Sequence, residues 1–172
     1  ICALAAGNHA MIKISSASAN FGRVLEQAIA EAFPQELVAV VNGGGVISDL
    51  FCHLAFDKII FTGSTTVGKT IMAAAAENLV PVILELGGKS PVIVHSSSDM
   101  SDVAQRIAVG KLWNSGQTCV APDYMFLPKG KTAEFIEQFE TYVFDMYPSI
   151  LNNPDYTSIV NDKQYNRLQG YL

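Results

Sequence analysis

A thiol and a carboxylate, Cys119 and Glu85, stand in sequence surroundings suited to covalent chemistry. Cys119 lies in the run Asn114-Ser115-Gly116-Gln117-Thr118-Cys119-Val120-Ala121-Pro122-Asp123-Tyr124, whose small residues leave a nucleophile room to meet a substrate. Glu85, 34 positions upstream, closes the apolar run Val82-Ile83-Leu84 and leads into Leu86-Gly87-Gly88-Lys89-Ser90-Pro91. A thiolate forms covalent intermediates with electrophilic carbon, and a carboxylate can take a proton from the water that hydrolyses them. Three apolar residues before Glu85 predict partial burial of its side chain.

A second pattern offers different chemistry. Gly63-Ser64-Thr65-Thr66-Val67-Gly68-Lys69-Thr70 fits G-x-x-x-x-G-K-[ST] in full, between an expected strand and an expected helix. In that reading backbone N–H groups cradle a nucleoside triphosphate, Lys69 reaches its terminal phosphates and Thr70 holds magnesium. A dinucleotide is the competing ligand, because any small-residue turn into a helix N-terminus presents amides and a favourable dipole to an anion. An unliganded glycine turn is the third possibility.

Elements able to position these groups follow from hydrophobic periodicity. Short β-rich runs at Ala10–Ile14, Leu37–Val41, Lys58–Phe61, Pro81–Leu84, Pro91–Val94 and Tyr124–Leu127 predict strands. Helical spacing predicts helices from Phe21 to Ala32, Val46 to Leu54, Gly68 to Asn78, Met100 to Asn114 and Phe135 to Met146, with Pro34 ending the first. Such alternation implies an α/β protein with mostly parallel strands and right-handed crossovers.

Composition narrows the function classes. With 49% hydrophobic and 16% charged residues, the 172-residue chain carries a packed core rather than a disordered segment. A net charge of −5 gives no footprint for nucleic acid or an anionic membrane, and no apolar run approaches the roughly 20 residues of a membrane span. Cys2, Cys52 and Cys119 lack CxxC spacing, so neither a disulfide framework nor a zinc site is expected, and a reducing, cytoplasmic setting fits best. Cys2 and Cys52 read as small packed hydrophobes, and His9, His53 and His95 as structural side chains. The opening Ile1-Cys2-Ala3-Leu4 reads as an element cut into midway, so the chain is expected to be a fragment.

The wording, order and separation of the Glu85 and Cys119 motifs together resemble the aldehyde dehydrogenase superfamily, and Gln117-Thr118-Cys119-Val120-Ala121-Pro122-Asp123-Tyr124 is similar to its class 3 or coniferyl aldehyde dehydrogenase branch. Phe61-Thr62-Gly63-Ser64-Thr65 followed by Val67-Gly68 also resembles a signature of that family. The resemblance implies a Rossmann-like nucleotide-binding domain, residues 1–87 in part, followed by the start of an α/β catalytic domain, residues 88–172 in part. It implies Cys119 as nucleophile and Glu85 as general base in oxidation of an aldehyde with NAD or NADP. Gly63 and Ser64 would approach the cofactor's pyrophosphate, Val67 and Gly68 would shape the surface under its adenosine, and Lys13 would bond the ribose. Ser16 stands where the family carries a carboxylate that repels a 2′-phosphate, so NADP+ is expected to be tolerated beside NAD+.

By the same resemblance, the match covers about the middle third of a typical member. A second oxyanion donor, an asparagine, belongs upstream, and the isolated fragment is expected to be inactive or nearly so. The full protein would be a homodimer or homotetramer acting on a small-molecule aldehyde, with neither nucleic acid nor membrane as partner. A degenerate member that binds nucleotide without turnover is the non-enzymatic alternative.

Overall fold

The computed structural model describes residues 1–171. The chain divides into two compact units, Ile1–Glu85 and Leu86–Leu172.

The first unit opens with the short helix α1 (Cys2–Ala5), ended by Gly7 at φ 77°, and continues through β1 (Ala10–Lys13), a one-turn 3-10 helix (Ser16–Ser18) and α2 (Ala19–Ala32). Then come β2 (Val38–Val41), α3 (Gly45–Cys52), β3 (Ile59–Gly63), α4 (Thr65–Glu77) and β4 (Val82–Leu86). β1 and β2 pair in parallel with Ala10 opposite Val38, the arrangement a helical crossover imposes, and β3 lies beside β4. Gly68, Ile71, Ala74 and Ala75 lie at helical spacing on the buried face of α4. Ile71 and Ala75 meet Ile59 and Val80, with Phe56, Phe61, Val82 and Leu84 packed around them.

The second unit runs through β5 (Ser90–Ile93), α5 (Met100–Leu112), a 3-10 turn (Trp113–Gly116), β6 (Pro122–Phe126), α6 (Thr132–Met146) and α7 (Asp162–Gln169). Asp99 caps α5 by accepting the Asp102 N–H at 3.0 Å, and Met100, Ala104 and Ala108, four apart, form its buried stripe. Ser101 Oγ and the Tyr142 hydroxyl lie 2.8 Å apart and tie α5 to α6. β5 and β6 are parallel, with one irregularity: Ser90 faces Pro122 but Pro91 faces Tyr124, so Asp123 is an extra residue, a β-bulge.

The expected strands and helices are present, with α1 added and several ends shifted, and three differences have a clear physical cause. α4 begins at Thr65, upstream of the expected Gly68, because Ser64 caps it. α5 ends at Leu112 instead of Asn114, because Asn114 and Ser115 turn left-handed at φ 52° and 54°. α7 is polar along most of its length, which hid it from a search for apolar periodicity.

Candidate active site

Cys119 is exposed in the turn that joins the 3-10 helix to β6, and the Ala121 N–H donates to the Thr118 carbonyl across it at 3.3 Å. Among the described residues the Cys119 N–H has no hydrogen-bond partner, leaving it free to meet an oxyanion formed at the sulfur's own substrate. Its carbonyl is held instead. Ser90 Oγ donates to Cys119 O at 3.4 Å, and a Cβ built on Gly88 would stand 2.5 Å from that same oxygen. Gly88 is therefore required by a close backbone approach, not by a left-handed φ.

The approach to this turn is unusual. Asn114, Ser115 and Gly116 are left-handed in succession, at φ 52°, 54° and 70°. Gly116 adopts this freely and Asn114 at modest cost, whereas Ser115 is the strained member, and a Cβ on Gly116 would also meet the Lys111 carbonyl at 3.0 Å. The Asn114 and Gln117 backbones bond one another across the reversal, Gln117 N–H to Asn114 O at 3.0 Å.

Glu85 occupies an outward position of β4, where burial alternates along Val82–Leu86. Its side chain is exposed in this chain, so the expected partial burial is corrected. The period of two on a strand places Val82, Leu84 and Leu86 on one face and Ile83 and Glu85 on the other, whatever their hydrophobic company in sequence.

In the first unit, Ser64 is the single residue between β3 and α4. Its hydroxyl accepts the Val67 N–H at 3.3 Å, and the Gly68 N–H donates to Ser64 O at 2.9 Å. A triphosphate-binding loop needs the residues between its two glycines to be open and wrapped around the phosphates. Here Thr65–Gly68 are already helical, and Thr70 Oγ1 bonds Thr66 O at 3.4 Å within the helix. The P-loop reading is overturned on this geometry. What remains is a helix N-terminus whose first N–H groups, at Thr65 and Thr66, have no intrahelical acceptor.

Gly63 is half-buried, and any Cβ on it would run into the Phe61 ring. Val67 is exposed and Gly68 buried. Lys13 Nζ donates to Ile14 O at 2.6 Å and Gly43 O at 2.9 Å, so the ammonium is anchored at the ends of β1 and β2 rather than loose in solvent. Ser16 opens the 3-10 helix with its side chain exposed, while Ser15 caps that turn through the Ala17 N–H at 3.2 Å. The bared helix N-terminus with a hydroxyl at its cap is a donor set that suits a pyrophosphate, and the Lys13 ammonium is a separate anchored donor.

The family model described as the aldehyde dehydrogenase family matches residues 1–172. The chain belongs to the aldehyde dehydrogenase family. A Pseudomonas aeruginosa protein described as "Probable coniferyl aldehyde dehydrogenase" is 52% identical over 170 residues, 99% of this chain and 36% of that protein. The solved "Substrate bound state of Staphylococcus Aureus AldH" is 43% identical with a TM-score of 0.92, covering 98% of this chain and 37% of that one. An indole-3-acetaldehyde dehydrogenase solved with NAD+ is 28% identical at TM-score 0.86, covering 98% and 36%. The chain thus spans about a third of the length of these relatives.

Family membership accounts for why the Cys119 turn, the Ser64 cap and the α/β frame occur together. Reading the residues one at a time missed Gly88 and Ser90 as supports of Cys119, and also the ion pair of Lys89 Nζ with Asp123 at 2.6 Å beside that turn. The Gly87-Gly88 pair was the available signal for the first. The bulge that presents Asp123 leaves no mark in sequence. Among the described residues no three His, Cys, Asp or Glu side chains are grouped to hold a metal, and no helix is long and apolar enough to cross a membrane.

Proposed function

We propose that the protein carrying this chain oxidises an aldehyde to a carboxylic acid with NAD+ or NADP+. The observation that supports it most is the Cys119 turn: an exposed thiol whose carbonyl is fastened by Ser90 and Gly88 and whose own N–H is free, in a chain of the aldehyde dehydrogenase family. Residues 1–87 serve as part of the nucleotide-binding domain and residues 88–172 as part of the catalytic domain.

The Cys119 thiolate attacks the aldehyde carbon, and the Cys119 N–H donates to the oxygen as it takes up negative charge. A bound dinucleotide would supply the hydride acceptor that conversion of the thiohemiacetal to a thioester requires. Glu85 takes a proton from the water that attacks this thioester, freeing the acid and restoring the thiol. The N-terminal amides of α4, Gly63 and Ser64 would hold the pyrophosphate, Val67 and Gly68 would form the surface beneath the adenosine, and Lys13 and Ser16 would meet the ribose. The substrate is an aromatic or medium-chain aliphatic aldehyde, in keeping with the coniferyl aldehyde dehydrogenase-like relative. The protein works in the cytoplasm as a homodimer or homotetramer.

The test is aldehyde-dependent reduction of NAD+ and NADP+ by the full protein and by Cys119→Ala. Reduction by the parent that disappears in the variant is expected. Undiminished reduction by Cys119→Ala would exclude thiol catalysis.

A further inference from the structure

Both N–H groups and the oxygen of the Gln117 carboxamide are bonded, and all three bonds concern the nucleophile turn. Nε2 donates to Asn114 O at 3.0 Å, inside the turn, and to Ser158 O at 3.1 Å, outside it. Oε1 accepts the Val160 N–H at 2.9 Å. A carboxamide has two donor hydrogens and one carbonyl oxygen, and this arrangement leaves only one lone pair unassigned. Rotating the amide by half a turn would set its oxygen against two carbonyls and its NH2 against an N–H, so the network fixes its orientation.

Its partners outside the turn have little regular structure to hold them. Thr157–Ile159 lie in neither helix nor strand, and α7 starts only after Asn161, whose side chain caps it through the Gln164 N–H at 3.0 Å. Ser115 Oγ adds a parallel bond to Thr157 O. Gln117 and Ser115 thus stitch the left-handed reversal to residues 157–160, some forty positions later in sequence. Cys119 is two residues from Gln117, with no helix or strand between them to absorb a shift.

We propose that Gln117 is a positioning residue for Cys119, clamping the nucleophile turn to the Thr157–Val160 segment so that the thiol and the free Cys119 N–H are held in reacting geometry. Gln117 touches no reacting atom; it acts through the turn. The inference rests on the reading of Cys119 as the nucleophile. The clamp separates two requirements that a loop alone meets poorly: an exposed thiol for the substrate, and a backbone fixed to within the fraction of an ångström that reaction demands.

The experiment uses the full protein with Gln117→Ala and Gln117→Glu. Alanine removes all three bonds. Glutamate keeps the shape and an acceptor for the Val160 N–H but, ionised, has no hydrogen to donate to Asn114 O or Ser158 O. Three readouts are taken: kcat and the KM values for aldehyde and cofactor, the rate of Cys119 alkylation by iodoacetamide across pH, and amide exchange at Val160. Both variants are expected to lose on the order of 10²-fold in kcat, the loss that a misplacement of about 1 Å can cause, with the cofactor KM unchanged. The alkylation profile shifts, and exchange at Val160 quickens most in Gln117→Ala.

A parent protein without Cys119-dependent oxidation would sink the aldehyde reading, and this inference with it, before any Gln117 variant is made. An active parent whose Gln117→Ala and Gln117→Glu variants retain kcat and the alkylation profile would overturn the clamp alone. Should alanine prevent folding, the isosteric glutamate variant decides the matter by the same kcat and alkylation measurements.

Discussion

Gly88 and Cys119 are in backbone contact: a methyl group on the Gly88 Cα would stand 2.5 Å from the Cys119 carbonyl oxygen. The neighbouring Gly87 has open space where its Cβ would lie. Gly88→Ala must therefore push the nucleophile turn away, while Gly87→Ala need not. Aldehyde oxidation is expected to fall about 10²-fold in Gly88→Ala and to stay near the parent rate in Gly87→Ala. Steady-state kinetics of the pair, with thermal unfolding as the check on folding, measures it.

Glu85 is exposed on β4 and unencumbered by any ion pair among the described residues. In its proposed role as base of the hydrolytic step alone, it is dispensable for the first hydride transfer. Glu85→Gln is expected to keep a burst of one reduced cofactor per site and to lose roughly 10²–10⁴-fold in steady turnover. Stopped-flow absorbance separates the two phases, and a missing burst would refute this division of labour.

Ser16 is exposed at the start of the 3-10 helix, three residues from the anchored Lys13 ammonium. Under the proposed role of Ser16 at the ribose, Ser16→Glu would set a carboxylate beside the 2′-phosphate of NADP+. Like charges repel, so kcat/KM for NADP+ relative to NAD+ is expected to drop roughly tenfold or more, about 1.4 kcal/mol of discrimination. Kinetics with each cofactor gives the ratio directly.

The Lys89 ammonium, hydrogen-bonded to Asp123 at 2.6 Å, holds the Asp123 carboxyl below the usual carboxylate range, and Asp123 in turn raises Lys89. A carboxyl depressed on folding stabilises the fold above its unfolded pKa, near 3.9, and that contribution fades as pH falls through the lower folded value. For Lys89 the sign is opposite: its share is full below about 10.4 and fades as pH rises through the higher folded value. Lys89→Met is thus expected to melt at a lower temperature than the parent near neutrality, with the gap closing in strong acid and strong alkali. Both partners meet solvent, so the gap is small and shrinks with salt.

Ser64→Ala removes the only side-chain cap of α4 and is expected to cost about 1 kcal/mol of stability. Ser64→Asp, which restores an acceptor, should recover it while weakening cofactor binding through repulsion of the pyrophosphate. Denaturant unfolding and cofactor titration distinguish the two effects.

Sequence periodicity located the six strands because each is a short apolar run set between polar or turn-forming residues, and it located the longer helices by their apolar spacing and the alanine run of α4. It misjudged places where one hydrogen bond or one steric contact decides. Ser64 starts α4 early and thereby turns an apparent phosphate loop into a helix, a difference of three residues that changes the ligand class. The left-handed Asn114 and Ser115 carry no glycine to announce them. Cys119 and Glu85 stand out in the sequence as candidates because motif wording survives without structure, whereas the contacts of Gly88, Ser90 and Gln117 are matters of geometry, which wording does not record.

The bulge at Asp123 has a meaning in parity. Burial along β6 runs half-buried, exposed, exposed, half-buried, exposed, and the break in alternation falls where the extra residue sits. Upstream of it Pro122 keeps step with Ser90; downstream, Tyr124 to Phe126 keep step with Pro91 to Ile93. Replacing Asp123 would leave that count intact and forfeit only an ion pair. Removing it would leave Pro122, Tyr124 and Met125 alternating in, out, in against Ser90, Pro91 and Val92, the faces they already hold. The ladder thus skips this residue rather than counting it: its loss would forfeit the Lys89 ion pair and leave the parity of β6 unchanged.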